Sequence, residues 1–357
     1  MAYLWCDTDD AIRSWLADLA PGCPVYLDTE FMRERTYWPQ LALVQVHDGQ
    51  SIRLIDTTRV SAEALSPLFQ AHTLVMHACS EDLEAVAAFT GHYPARIEDT
   101  QIAAALGGED MQLGYQKIVQ MLMGVELPKG ATRTNWLKRP LSDEQLHYAE
   151  DDVKYLPEVA AQLHDRLAEL GRLPWWQEEC DRLLAQASKE EKPEKAWRSV
   201  KGAALLPDHA RAALSVLAPW RNRMARERNL PKSFVIKDAQ LLELARANRT
   251  DRGMLADVGL HPKCIRRDGE ALLALLEEGR TVTPPPPLPG PPDAREKKLA
   301  KTLRGKVGQV AEQVGLKPDV LMRRRWLEAL IRHPERVPEP LTGWREDIIT
   351  KPLLELL

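Results

Sequence analysis

The 357-residue sequence predicts an α/β domain followed by two all-helical domains, and three observations carry that prediction. Short apolar runs alternate with amphipathic stretches through residues 1–190, the pattern of strands interleaved with helices. Two composition breaks then divide the chain. Ser188-Lys189-Glu190-Glu191-Lys192-Pro193-Glu194-Lys195 is charged, lacks large apolar residues and contains a proline. Residues 281–293 include Thr283-Pro284-Pro285-Pro286-Pro287-Leu288-Pro289-Gly290-Pro291-Pro292, which cannot form helix or sheet and reads as a semi-rigid polyproline II linker. The segments on either side of it, 200–280 and 294–357, carry helical periodicity alone.

Within residues 1–190 the elements follow from their side chains. Val25-Tyr26-Leu27-Asp28-Thr29-Glu30-Phe31 begins apolar and reads as a strand. Leu41 to Val46, Ile52 to Ile55 and Thr73 to His77 are apolar strands. Helix is predicted over Glu81 to Phe89 with Ser80 as its N-cap, and from Ser142 onward, where Ser142-Asp143-Glu144 provides capping chemistry.

Composition narrows the class of molecule. With 44% hydrophobic residues the chain fills real cores. It has no apolar run near the roughly 18 residues a membrane helix needs, and no charged-then-apolar leader at Met1-Ala2-Tyr3-Leu4-Trp5. A soluble, cytoplasmic monomer with no membrane partner and no small-molecule cofactor is expected. Five scattered cysteines without a Cys-x-x-Cys pair indicate neither a disulfide framework nor a zinc site. The net charge of −4 hides an asymmetry: Lys and Arg against Asp and Glu number 19 and 32 in residues 1–200, 15 and 10 in 201–280, and 10 and 3 in 295–325. An acidic front joined to basic rear segments suits a metal-binding part coupled to parts that grip a polyanion.

Three acidic sites fall at element ends. Asp28 and Glu30 stand two apart on a strand and so share a face, where they repel unless a cation lies between them; hard divalent ions take such ligands. Asp82 lies in the first turn of a helix that follows a buried strand, where complementing the helix dipole is the bland alternative. In His147-Tyr148-Ala149-Glu150-Asp151-Asp152-Val153, Tyr148 and Asp152 stand four apart on one helical face. On spacing alone Asp151 serves as well as Asp152.

Together these sites resemble the three exonuclease motifs of the DEDD superfamily in its tyrosine-bearing branch. The flanks, Asp28-Thr29-Glu30-Phe31-Met32-Arg33-Glu34-Arg35-Thr36-Tyr37-Trp38-Pro39-Gln40-Leu41 with Gln45, Trp136-Leu137-Lys138-Arg139-Pro140-Leu141-Ser142, and Tyr148-Ala149-Glu150-Asp151-Asp152-Val153-Lys154-Tyr155-Leu156, resemble the ribonuclease D family. Asn135 stands where relatives often carry Asp. Residues 205–280, through Leu217-Ala218-Pro219-Trp220-Arg221-Asn222-Arg223 and the following Met224 to Pro231, resemble the HRDC domain, and 294–357 looks like a diverged second copy on the strength of Leu341-Thr342-Gly343-Trp344-Arg345.

The resemblance implies an RNase H-like α/β catalytic domain at 1–190, a mixed sheet flanked by helices, followed by HRDC-type domains at 200–280 and 294–357. It implies a 3′–5′ exoribonuclease in which Asp28, Glu30, Asp82 and Asp152 hold two divalent ions, Mg²⁺ or Mn²⁺, while Tyr148 orients the attacking water. The implied substrates are RNAs with a single-stranded 3′ end, chiefly tRNA precursors, trimmed to nucleoside 5′-monophosphates. Phe31, His77, Arg33, Arg35, Lys138 and Arg139 are candidate nucleic-acid contacts. For each of them a structural role competes: core packing for Phe31 and His77, surface ion pairs for the four cations. A DNA exonuclease of the same superfamily and a non-catalytic RNA-binding scaffold are the rival functions.

Overall fold

Val25, Leu27 and Thr29 are buried while Tyr26, Asp28 and Glu30 between them are partly exposed, the two-residue period of a strand with one face in a core. A computed structural model of the protein describes residues 3–128, 130 and 134–357, so Met1 and Ala2, where the expected lack of a leader was read, lie outside the described residues. The strands are β1 (Tyr3–Cys6), β2 (Pro24–Met32), β3 (Gln40–His47), β4 (Ile52–Ile55), β5 (Thr73–Met76) and β6 (Arg96–Asp99). Among the described residues they form one mixed sheet in the order β1-β4-β3-β2-β5-β6. β2 pairs antiparallel with β3 and parallel with β5, and the β5 pairing covers only Pro24 to Tyr26. The second half of β2, with Asp28 and Glu30, therefore runs past the carboxyl end of β5, where a crevice opens in sheets of this kind.

The first helices are α1 (Asp9–Asp18), α2 (Ala62–Ala71), α3 (Ser80–Thr90), α4 (Thr100–Leu106), α5 (Tyr115–Met123), α6 (Asp143–Lys154), α7 (Leu156–Glu169) and α8 (Leu173–Ala187). Strand alternation sorts the sheet's side chains into two cores. Val44, Val46 and Ile55 face the larger one, with α1 to α3, while Leu43 and Leu54 face a smaller one with Ala149 and Val153 of α6. Ser142 caps α6 in a capping box with Gln145, as its sequence predicts. Ser80, by contrast, is the first residue of α3 and not its cap. Cys79 holds the N-cap position without a side-chain cap bond; Asp99, which caps α4, fixes the turn before α3 by accepting from the N–H groups of Ala78 (3.2 Å) and Cys79 (3.0 Å).

Two compact units divide the chain, and their boundaries differ from those the composition breaks suggest. One comprises Met1–Met32, Gln40–Ser188 and Pro292–Leu357; the other comprises Arg33–Pro39 and Lys189–Pro291. The second unit contains α9 (Asp208–Glu227), α10 (Lys232–Val235), α11 (Asp238–Arg246), α12 (Arg252–Asp257) and α13 (Pro262–Thr281) around Trp197, Leu214, Leu217, Leu241 and Leu272. Asn229 holds Arg33–Pro39 to this unit by accepting from the N–H groups of Tyr37 and Trp38, both at 3.0 Å. The proline run is no free spacer here: Arg211 donates to the Pro285 carbonyl at 2.6 Å, and Leu288 packs on the same core.

The segment 294–357, expected as a domain of its own, instead shares the core of the exonuclease unit. Its α14 (Ala294–Val314), α15 (Pro318–Leu321) and α16 (Arg324–Arg332) place Leu303, Val310, Leu321 and Leu330 in one apolar cluster with Leu106 and Trp176. Arg172 stitches the two by donating to the carbonyls of Leu106 and Val314, and the rings of Trp175 and Trp344 stack at 4.6 Å. No helix among the described residues is long and apolar enough to cross a membrane.

Candidate active site

Each carboxylate reaches the crevice from a different part of the fold. Asp28 stands opposite Gln45 and Glu30 opposite Leu43 in the β2–β3 register, so both project from the face covered by α6. Thr29, on the other face, donates from its hydroxyl to Asp82 of α3 at 2.5 Å. Asp152 and Tyr148 lie one turn apart on α6, close enough that the carboxylate raises the phenol's pKa and the phenol lowers the carboxylate's. Asp151 has Lys154, Glu150 and His147 as its charged neighbours, whereas Asp152 feels Glu30 and Asp82; this separates two acids that spacing left equivalent.

The acids perturb one another strongly. Burial, then Asp152 and Asp82, holds the Asp28 carboxyl well above the usual carboxylate range. Burial, then Asp28 and Asp82, pushes Glu30 up to about 9. Burial raises Asp82 to about 6 against the lowering effect of the Thr29 hydrogen bond, and burial followed by Glu30 raises Asp152. Among the described residues no three of these side chains are gathered into a closed ligand shell. Asp82 is engaged by the Thr29 hydroxyl. The donor set nevertheless fits divalent cations: four carboxylates share one repulsive field, and Asp152 Oδ2 is buried without a hydrogen-bond partner among the described residues.

Tyr148 is enclosed by features that motif spacing does not reveal. Its ring lies 6.1 Å from that of the buried Trp136. Gly130 approaches the ring so closely that a Cβ there would fall 1.6 Å from a phenol carbon. Burial and the neighbouring Asp152 drive the phenol far above its ordinary value, so Tyr148 keeps its proton at neutral pH.

The candidate nucleic-acid contacts divide on geometry. Arg139 is not free to meet phosphate: its Nε and Nη2 grip the buried Asp56 at 2.7 and 2.6 Å, and its remaining N–H groups go to the carbonyls of Trp136, Lys138 and Ala42. All five guanidinium donors are used. The Ala42 carbonyl needs this donor because the β2–β3 register shifts between Glu30 and Phe31, leaving Ala42 without a ladder partner there. His77 likewise engages both ring nitrogens, with Thr100 Oγ1 at 2.9 Å and the Leu113 carbonyl at 2.8 Å, so it is a structural bridge in this arrangement. Phe31, just past the register shift, is partly buried against the large core. Arg33 and Arg35 fall in the Arg33–Pro39 segment of the second unit, and Lys138 is exposed.

Comparison with known proteins agrees with this architecture. A family model for 3′–5′ exonucleases matches residues 3–168, and one for the HRDC domain matches 210–276. The chain is 38% identical over 347 residues to ribonuclease D of Pseudomonas paraeruginosa, spanning 93% of this chain and 91% of that one. To ribonuclease D of Escherichia coli it is 35% identical over 373 residues, spanning 100% and 99%. The chain belongs to the ribonuclease D family. The crystal structure of Escherichia coli RNase D, described as an exoribonuclease involved in structured RNA processing, superposes with a TM-score of 0.91 at 34% identity, covering 100% of this chain and 99% of that one. The family fold of a mixed sheet flanked by helices, with an HRDC domain and a helical C-terminal region, is thus the fold of this chain, and 3′–5′ exoribonucleolysis is the activity that membership carries.

Proposed function

We propose that this ribonuclease D relative trims the single-stranded 3′ ends of structured RNAs, tRNA precursors chief among them, to nucleoside 5′-monophosphates with two divalent ions, Mg²⁺ or Mn²⁺. The supporting observation is the electrostatic cluster of Asp28, Glu30, Asp82 and Asp152, which is costly to ionise in isolation and holds an unpartnered Asp152 oxygen. These four residues would hold the ions. Bound there, the ions supply a water of lowered pKa and neutralise charge on the leaving 3′-oxygen. Tyr148 orients the attacking water as a hydrogen-bond donor and not as a base, because its burial beside carboxylates stabilises the neutral phenol. Thr29 positions Asp82, and Gly130 with Trp136 sets the plane of the Tyr148 ring.

RNA and DNA oligomers of one sequence, each assayed with and without EDTA, test the proposal. Mononucleotides should appear from RNA only with metal present, and Asp28→Asn should abolish their release while the fold persists. Faster cleavage of DNA, or more than a few per cent of activity left in Asp28→Asn at saturating Mg²⁺, would overturn it.

A further inference from the structure

A cavity of about 330 Å³ lies inside the exonuclease unit, at the seam between α4 and α8 on one side and α15 and α16 on the other. None of the four carboxylates lines it, nor does Tyr148. Its lining includes Ile102, Leu106 and Leu183 together with Arg323 and Arg325. Other charged groups in the lining are already committed. Asp99 accepts from the N–H groups of Ala78, Cys79, Gln101 and Ile102. Glu179 is shared by Arg182, Arg345 and the Trp344 indole.

Arg323 and Arg325 stand differently. Among the described residues neither side chain makes a hydrogen bond or an ion pair; they flank the buried Trp326, at 5.1 and 6.0 Å from its ring centroid. Glu179 and Asp319 lie near enough to act on Arg323, but among the described residues neither forms an ion pair with Arg323 or Arg325, so two guanidinium groups of like charge stand side by side without a paired anion. Partial burial and the adjacent Arg325 disfavour the charge on Arg323, which an anion would relieve. Guanidinium forks match phosphate oxygens in spacing and plane. The apolar wall asks for a flat, weakly polar body on the same ligand. The volume is at the lower end of the roughly 300–1,000 Å³ of small-molecule sites, room for one nucleotide and not for a duplex.

We propose that this cavity is a second nucleotide site, with a phosphate on Arg323 and Arg325 and a base against Ile102, Leu106 and Leu183. The occupant's chemistry is that of a nucleoside 5′-phosphate, either the free monophosphate or one unpaired nucleotide within an RNA strand. The proposal rests on the activity above only in that such nucleotides are then at hand; binding itself needs no hydrolysis.

Equilibrium dialysis of adenosine 5′-monophosphate against the full-length chain in EDTA tests it, with adenosine as control and a short labelled RNA in parallel. Both arginines are exposed, so Arg323→Gln/Arg325→Gln keeps the fold, checked by an unchanged melting temperature. Free nucleotide as the occupant predicts binding that falls at least tenfold in the double variant, falls similarly when the phosphate is removed, and is unaffected by Asp28→Asn. Strand nucleotide as the occupant predicts no binding of the monophosphate. The double variant then binds RNA several-fold more weakly, with the slope of log affinity on log salt flattened by about 0.7 per phosphate lost. Binding of both probes that is indifferent to the two arginines, or nucleotide binding that Asp28→Asn removes, overturns the second site.

Discussion

Tyr148 owes its chemistry to its neighbours, which make its proton hard to remove and its ring hard to move. Tyr148→Phe keeps the ring against Trp136 and Gly130 and loses only the hydroxyl. Its kcat should fall roughly 10²-fold or more, the scale for a positioning or proton-transfer group, while RNA affinity barely changes. Recovery of activity by raising Mg²⁺ would point to a metal-binding role instead. The carboxylates make a second, pH-dependent prediction. Asp82 and Glu30 titrate in the folded protein near 6 and 9, above the ordinary range near 4, so folding favours their protonated forms. Their contribution to stability is complete below about pH 4 and is lost as pH rises through about 6 and on toward 9. In EDTA the melting temperature should therefore drop by several degrees between pH 5 and 9, and Mg²⁺, which favours the ionised forms, should recover the upper end. Asp28→Asn should flatten the EDTA profile; identical profiles in the variant and the parent would remove the cluster as the cause.

At the scale of elements, the close approach of Gly130 to the Tyr148 ring is a testable constraint. Gly130→Ala forces the ring aside, and a misplacement of about 1 Å at a reacting centre costs up to roughly 10²-fold. Its kcat should approach that of Tyr148→Phe with metal affinity intact; normal turnover would show that the loop yields. Much of this neighbourhood was legible in the sequence. The Asp28–Glu30 pairing follows from the strand period, and the Tyr148–Asp152 face from the helix period with Ser142 as its cap. What stayed hidden depends on partners distant in the chain. Arg139 looks like any surface cation until Asp56, 83 residues earlier, fills its fork. Thr29 reads as a spacer until α3 brings Asp82 against it, and the turn that leads into that helix is fixed by Asp99, about 20 residues further along. Gln45 carries another long-range property: opposite Asp28 in register, it is fully buried with neither amide atom partnered among the described residues. β6, Arg96 to Asp99, carries two acids and no apolar run, unlike the equally short β4 and β5, whose apolar residues declare them.

Over the whole molecule, the least legible feature was the discontinuity of the exonuclease unit. The proline run and the basic helix after it suggest a detachable module whose loss would spare cleavage of short RNAs. The structure predicts otherwise. Leu303, Val310, Leu321, Trp326, Leu330 and Trp344 are buried in the core that α4 and α8 also build, and each such side chain contributes roughly 1.5–3 kcal/mol by burial. Several of them together rival the roughly 5–15 kcal/mol that holds a typical domain folded. Truncation after Pro292 should lower the melting temperature by more than about 10 °C, or leave the protein insoluble, and should cost activity on short oligomers as well; calorimetry of the shortened chain with a parallel cleavage assay decides.

The same discontinuity orders events in time. Chain leaves the ribosome from its amino end, and domains generally fold as units once their residues have emerged. The residues of the helical unit, the last of them Pro291, emerge first, while the exonuclease unit waits for a segment that follows them, from Pro292 onward. A nascent chain stalled anywhere before that point carries the four carboxylates on an unfinished scaffold. A chain truncated before Pro292 should therefore release no mononucleotides until the missing segment is supplied, a timing that a cleavage assay on chains arrested before and after that residue reads directly.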